Sequence, residues 1–104
     1  KSWDANDLIA LAITWQRNDV GRTAGFKGNG ESALASIRSD VLYMACETDQ
    51  YFHIEALKWE AKRIPNAKFV VMPSLWGHMA GGGRSEVDAN FINDQVAEFL
   101  NSNN

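Results

Sequence analysis

Two short apolar runs, Val41-Leu42-Tyr43-Met44-Ala45-Cys46 and Phe69-Val70-Val71-Met72, constrain this chain more than any other feature. Neither alternates apolar with polar residues, as a strand with one wet face would. Unbroken runs of this length suit strands covered on both faces, the habit of parallel sheets. Between them lies a helical stretch, Glu55–Arg63, with Ala56, Leu57 and Trp59 available to pack and Lys58, Lys62 and Arg63 for solvent. It stops at Ile64-Pro65-Asn66, because proline disfavours helical geometry in the residue before it. Strand, helix and strand predict a parallel, right-handed crossover, with strands at Asp40–Cys46 and Ala67–Met72. Two parallel strands alone make a poor sheet, since each leaves an edge of unpaired backbone groups. The expectation is the end of a larger α/β sheet whose other strands lie outside these 104 residues.

The remaining elements are helices and loops. Leu8, Leu11, Ala12 and Trp15 recur at helical spacing between Asp4 and Asn18, with Asp4 or Asn6 to cap the start and Gly21 to end it. The glycine-rich stretch Gly21–Gly30 reads as an irregular connection. A short helix over Glu31–Ile37 would bury Ala33, Leu34 and Ile37. Trp76–Arg84 is a second glycine-rich loop, and Ser85-x-x-Asp88 is a capping-box-like start for the last helix. Phe91, Ile92, Val96, Phe99 and Leu100 give that helix its apolar face, and the polar tail Asn101–Asn104 is expected to fray.

Composition excludes several classes. A net charge of -3 with scattered basic residues argues against nucleic acid, which needs a basic patch. No apolar run approaches membrane-spanning length. A single cysteine, Cys46, rules out an intrachain disulfide and reads as a buried thiol at a strand end. Lys1-Ser2-Trp3-Asp4 has neither an initiating methionine nor an apolar leader, so the native amino terminus is expected upstream, and the protein is expected to be cytoplasmic.

Functional residues of open α/β sheets gather at the carboxyl ends of the strands. Asp49 follows the first strand and His78 the second, in Ser74-Leu75-Trp76-Gly77-His78. A carboxylate that orients a histidine, which in turn moves a proton for a nucleophile, is the logic of a hydrolytic triad. The order acid then histidine agrees with the arrangement in which the serine comes first. That serine is missing: no Gly-x-Ser-x-Gly occurs between Lys1 and Asn104. Glu47, Asp49, His53 and His78 match no metal-ligand spacing, and Gly81-Gly82-Gly83-Arg84 lacks the Gly-Lys-Ser/Thr ending of a phosphate loop.

Longer stretches carry a family likeness. Cys46-Glu47-Thr48-Asp49-Gln50-Tyr51-Phe52 and Pro73-Ser74-Leu75-Trp76-Gly77-His78-Met79-Ala80-Gly81-Gly82 resemble the acid and histidine loops of α/β-hydrolase-fold enzymes, above all the homoserine O-acetyltransferase family. Trp3-Asp4-Ala5-Asn6-Asp7-Leu8 and Ile64-Pro65-Asn66-Ala67 resemble further segments of that family. The resemblance implies the carboxyl-terminal part of an α/β-hydrolase fold. Residues 1–30 would be the end of the cap and its connection, and residues 31–104 the last part of the core. It makes Asp49 the triad acid, His78 the base and Met79 a substrate neighbour, while Trp76 is a candidate to line the pocket because it adjoins the histidine loop.

The implied reaction is acyl transfer or ester hydrolysis on a small-molecule ester or acyl donor. The serine would come from a missing amino-terminal part of the same enzyme, so these residues alone would be inactive. No cofactor or metal is implied, and acetyl-CoA would be a co-substrate only of an acetyltransferase. Family acetyltransferases usually carry an aspartate after the histidine to hold the homoserine ammonium. Met79 cannot do this, which moves the expected acceptor toward water or another small hydroxyl compound. Phe52-His53-Ile54 also departs from the family's Phe-Pro-Pro, leaving His53 near the site. The alternatives are a non-catalytic binding module that needs a partner chain to fold, and a homoserine O-acetyltransferase proper. By the same resemblance, Asp4–Asn18 is a possible homodimer surface.

Overall fold

The computed structural model describes residues 4–102. Trp3 of the family-like amino-terminal motif, and Asn103 and Asn104 of the tail, lie outside the described residues. The chain divides into two units, one ending at Leu34 and the other beginning at Ala35.

In the first unit, α1 spans Ala5–Arg17. Asp4 caps it: Oδ1 accepts the Asn6 N–H at 2.7 Å, satisfying a donor that a helix start leaves without a partner. The helix closes at Arg17, short of the expected Gly21, when the Asn18 N–H turns back to the Trp15 carbonyl at 3.0 Å. Gly21 serves a different purpose. It lies in a 3₁₀ turn, Val20–Arg22, where a Cβ would come within 2.6 Å of the Gly30 nitrogen and 2.8 Å of the Gly28 carbonyl. The backbone folds back too closely there for any side chain, and the Gly28 N–H seals the loop on the Gly21 carbonyl at 2.9 Å. The short α2 is Gly30–Ala35, with the Asn29 side chain accepting the Ser32 N–H at 3.0 Å. Ala33 is buried as expected, but Ile37 falls beyond the helix and is half-buried.

The second unit holds the sheet. Strands β1 (Val41–Cys46) and β2 (Ala67–Met72) pair in parallel, with Val41 opposite Ala67 and Cys46 opposite Met72. Helix α3, Ile54–Ala61, connects them and packs on both. Its inward face differs from the expected one. Ile54, Leu57, Lys58 and Ala61 share a stripe at helical spacing and are partly or fully buried, whereas Ala56 and Trp59 are exposed. The Trp59 ring instead carries the Arg63 guanidinium 3.4 Å above it. The chain then winds through Arg63 and Ile64 with bonds three residues back, and Ile64 is buried ahead of Pro65.

After β2 the expected loop winds into a 3₁₀ turn, Gly77–Gly82, ended by Gly83 in the left-handed region at φ 66°. Helix α4 runs Glu86–Ser102, so Asn101 and Ser102 are helical where fraying was expected. Ser85 caps it, its hydroxyl accepting the Asp88 N–H at 3.3 Å. Phe91 and Ile92 pack against Cys46, Met72 and Ala80. Phe99 is half-buried, while Val96 and Leu100 are exposed, so the apolar face is narrower than the sequence suggests.

Burial grows toward the carboxyl ends of the strands. Ala45, Cys46 and Met72 are buried, but Val41 to Met44 are only half-buried, and Val71 is 37% exposed. Coverage of both faces, expected from the unbroken apolar runs, is thus met only at one end. Within the half-covered part, the Tyr43 hydroxyl donates to Glu60 Oε2 at 2.6 Å. Burial, together with the bonded carboxylate, pushes the Tyr43 phenol well above its ordinary pKa.

Candidate active site

The acid loop begins where β1 ends. The Asp49 N–H turns back to the Cys46 carbonyl at 3.2 Å. Asp49 Oδ1 then accepts two backbone N–H groups, from Tyr51 at 2.7 Å and Phe52 at 3.1 Å. This is the local turn that a short acidic side chain readily makes with the residues after it. With Oδ1 engaged, Oδ2 faces His78 Nδ1 at 3.2 Å. The Asp49 side chain is 10% exposed and that of His78 46%. Desolvation raises the Asp49 pKa, but the N–H groups of Phe52 and Tyr51 and the bond and charge of His78 outweigh it. The carboxyl is held below its ordinary value.

His78 sits in the first turn of the Gly77–Gly82 segment. Its ring lies between two aromatic neighbours of the acid loop, with centroids 4.8 Å from Tyr51 and 5.3 Å from Phe52. A carboxylate at Nδ1 favours the tautomer protonated there, leaving Nε2 with its lone pair free to accept a proton. Asp49 and His78 are therefore brought together as the sequence analysis expected, 29 residues apart in the chain.

The hydroxyls around this pair were not singled out from the sequence, and the second carboxylate, Asp88, only as part of a helix start. Thr48 Oγ1 donates to the Ser74 carbonyl at 2.6 Å and accepts the Gly77 N–H at 3.1 Å. The Cys46 thiol, buried as expected, also approaches the Ser74 carbonyl, at 3.4 Å. Ser74 Oγ donates to Asp88 Oδ2 at 2.7 Å and accepts the Trp76 N–H at 3.1 Å. Ser74 and Asp88 are both only 4% exposed. The Asp88 carboxylate, expected to close a capping box, instead reaches across to the histidine loop. Buried hydroxyls and carboxylates need partners, but no residue pattern says which, so only the position of Asp88 at a helix start hinted at it.

A cavity of about 590 Å³ adjoins the pair, lined in part by Asp49, Phe52, Gly77, His78 and Gly81. Its floor includes Tyr43 to Cys46 of β1. Trp76 and Met79, 51% and 45% exposed, flank His78 in the chain but lie outside this lining. His53 occupies the position before α3, exposed, with no side-chain bond to the helix start. Among the described residues no three His, Cys, Asp or Glu side chains gather as a metal site. Among them, too, no helix is long and apolar enough to cross a membrane.

No protein-family model matches the chain. Individual proteins do. It is 33% identical over 99 residues to an ethyl acetate hydrolase from Pseudomonas veronii, covering 95% of this chain and 28% of that protein. It is 30% identical over 91 residues to a "probable esterase" of Corynebacterium glutamicum, covering 88% and 25%. A homoserine O-acetyltransferase from Clavibacter michiganensis subsp. michiganensis is 30% identical over 82 residues, covering 75% and 20%. The chain therefore spans about a quarter of the length of the curated relatives it matches. The solved structure of an acetylester hydrolase from Corynebacterium glutamicum superposes with a TM-score of 0.77 at 23% identity. The match covers 94% of this chain and 28%, the carboxyl-terminal part, of that one.

Proposed function

We propose, on the premise that this chain is a carboxyl-terminal segment of the α/β-hydrolase fold related to esterases and a homoserine O-acetyltransferase, that it supplies the acid and base of an ester-cleaving triad. The observation that carries this reading is the 3.2 Å contact between His78 Nδ1 and an Asp49 carboxylate already fixed by two backbone N–H groups. An acid held this way keeps the histidine in the tautomer a general base needs.

The nucleophilic serine and the oxyanion hole belong to residues outside these 104, since no Gly-x-Ser-x-Gly occurs among them. His78 Nε2 takes the serine proton as the hydroxyl attacks the ester carbonyl. It then returns that proton to the departing alkoxide, which leaves as the alcohol. In the second half it deprotonates a water, or a small alcohol, that attacks the acyl-serine, and it hands that proton to the serine oxygen as the acid or new ester departs. Asp49 stays ionised throughout and stabilises the imidazolium. Residues up to about 30 form the end of a cap and those after it the end of the core. The half-covered faces of β1 and β2 take the remaining strands and helices of the same enzyme.

Hydrolysis of a small acetate ester is favoured over acetylation of homoserine for two reasons. Two relatives are named as esterases or ester hydrolases. Met79, beside His78, offers no charge to an ammonium group. In this reading Trp76 and Met79 form an apolar rim to the acyl site. The test is ester turnover by the native protein that carries these residues, with ethyl acetate as substrate. His78→Ala is expected to lower kcat about 10⁶-fold, the scale at which loss of a triad histidine is felt. Unchanged turnover in that variant, or none in the native protein, sinks the triad and leaves the binding-module alternative. Acetyl-CoA-dependent O-acetylation of homoserine, if measured, would reinstate the transferase.

A further inference from the structure

The acid and the histidine come from loops 29 residues apart, on turns with few buried apolar anchors of their own. A contact at 3.2 Å between them needs something to hold the loops in step. We infer that Thr48 is the positioning residue that does this, an assignment that rests on Asp49 and His78 being the acid and base. Thr48 precedes Asp49, and Gly77 precedes His78, so the hydroxyl joins the two loops one residue from each partner.

The direction of each bond in this joint is settled. The Thr48 hydroxyl has one proton, and at 2.6 Å from the Ser74 carbonyl it is donated there. A lone pair is then left for the Gly77 N–H at 3.1 Å. One hydroxyl thus grips the histidine loop at two points on either side of Trp76. The fit on the other side is equally close. Gly77 has φ 53°, and a Cβ on it would stand 3.1 Å from the Thr48 carbonyl oxygen. The glycine lets the loops approach, and the hydroxyl fastens them at that approach. Ser74 is anchored in turn by Asp88, which ties the joint to α4.

A valine at position 48 keeps the shape and removes both bonds, together with the 3.5 Å contact of the hydroxyl with the Cys46 thiol. The loops then separate enough for the imidazole to lose its fixed partner, and Nδ1–H no longer dominates over Nε2–H. The readout is the ¹⁵N spectrum of the imidazoles in the native protein, in which His53 serves as an internal reference. Native His78 is expected to show the Nδ1–H tautomer alone, Thr48→Val a mixture, and Thr48→Ser the native pattern. His53 should be the same in all three. Ester turnover should fall about ten- to a hundredfold in kcat for Thr48→Val, with KM nearly unchanged, the scale of a misplaced catalytic group.

A single Nδ1–H tautomer and native kcat in Thr48→Val overturn the assignment, as does a native His78 without that tautomer. If circular dichroism shows Thr48→Val unfolded, Gly77→Ala probes the same joint from the other side, with the same tautomer mixture expected. Unfolding of both would make the joint a folding element and overturn the positioning role. The tautomer does not depend on turnover. Its loss in Thr48→Val upholds the joint even where an inactive native protein defeats the esterase reading.

Discussion

The two ends of the sheet are built differently. At the carboxyl ends of the strands, Ala45, Cys46 and Met72 are buried, Ala80 is 1% exposed, the Thr48 side chain bonds the backbone of the histidine loop, and Ser74 bonds Asp88. Nearer the amino ends, Val41 to Met44 are half-buried, and the side-chain bonds include Tyr43 to Glu60 and Lys68 to Glu98. The same strands, apolar but for Lys68, are sealed where Asp49 and His78 emerge and left open behind them. Order is thus concentrated where two charged or chargeable groups must meet at a fixed distance. The rest of the sheet presents the surface on which, in our proposal, the other strands of the enzyme lie.

The largest expected effect comes from breaking the sealed end at its most buried polar bond. Asp88→Ala leaves the Ser74 hydroxyl without an acceptor where water scarcely reaches, both residues being 4% exposed. A stranded buried group of this kind costs about 1–3 kcal/mol. Urea unfolding of the native protein should show a loss near the upper part of that range. A loss within about 0.5 kcal/mol, the scale of ordinary surface substitutions, would mean the carboxyl end is no better sealed than the other.

A smaller effect is expected from Asp49, which still touches water and whose pairing depends on pH. Its carboxyl is held below the ordinary value in the folded protein, so folding favours the ionised form. The sign follows from linkage. The stabilisation is fully present above the ordinary carboxyl pKa of the unfolded chain, and it disappears as pH falls through the lowered folded value. Asp49→Asn keeps an oxygen for the Tyr51 and Phe52 N–H groups but removes the charge. Stability measured across the acid range should therefore decline less steeply in the variant than in the native protein. Parallel declines would show that the pair adds nothing to the order of this end.

The same contrast explains what could be read from the sequence. Asp49 and His78 were legible because an acid and a histidine just past two unbroken apolar runs occupy the place where α/β sheets keep their chemistry. The parallel pairing of β1 and β2 was legible for a related reason, since the crossover leaves little alternative. Thr48, Ser74 and Asp88 were not. Hydroxyls make bonds that depend on which loop lies opposite, and opposition across 14 to 29 residues leaves no periodic trace. The face of α3 was misread because Trp59 weighs heavily in any apolar stripe. Helical phase instead turns Leu57 and Ala61 inward and leaves the indole to Arg63.

The smallest effect probes the open end, where Tyr43→Phe removes the hydroxyl that donates to Glu60 Oε2 at 2.6 Å. The ring remains, 5.8 Å from that of Phe69, so the packing contribution is kept. These residues leave Glu60 only half-buried, so water replaces the lost donor unless the remaining strands cover it. The net worth of such a bond is then about 1.5 kcal/mol, the low end for a hydrogen bond to a charged group, below what Asp88→Ala should cost by the same urea unfolding. The ratio between the two variants matters more than either value. If Tyr43→Phe proves as damaging as Asp88→Ala, water is excluded from both ends alike. That outcome would place the remaining strands of the enzyme, proposed above, over Tyr43 and Glu60.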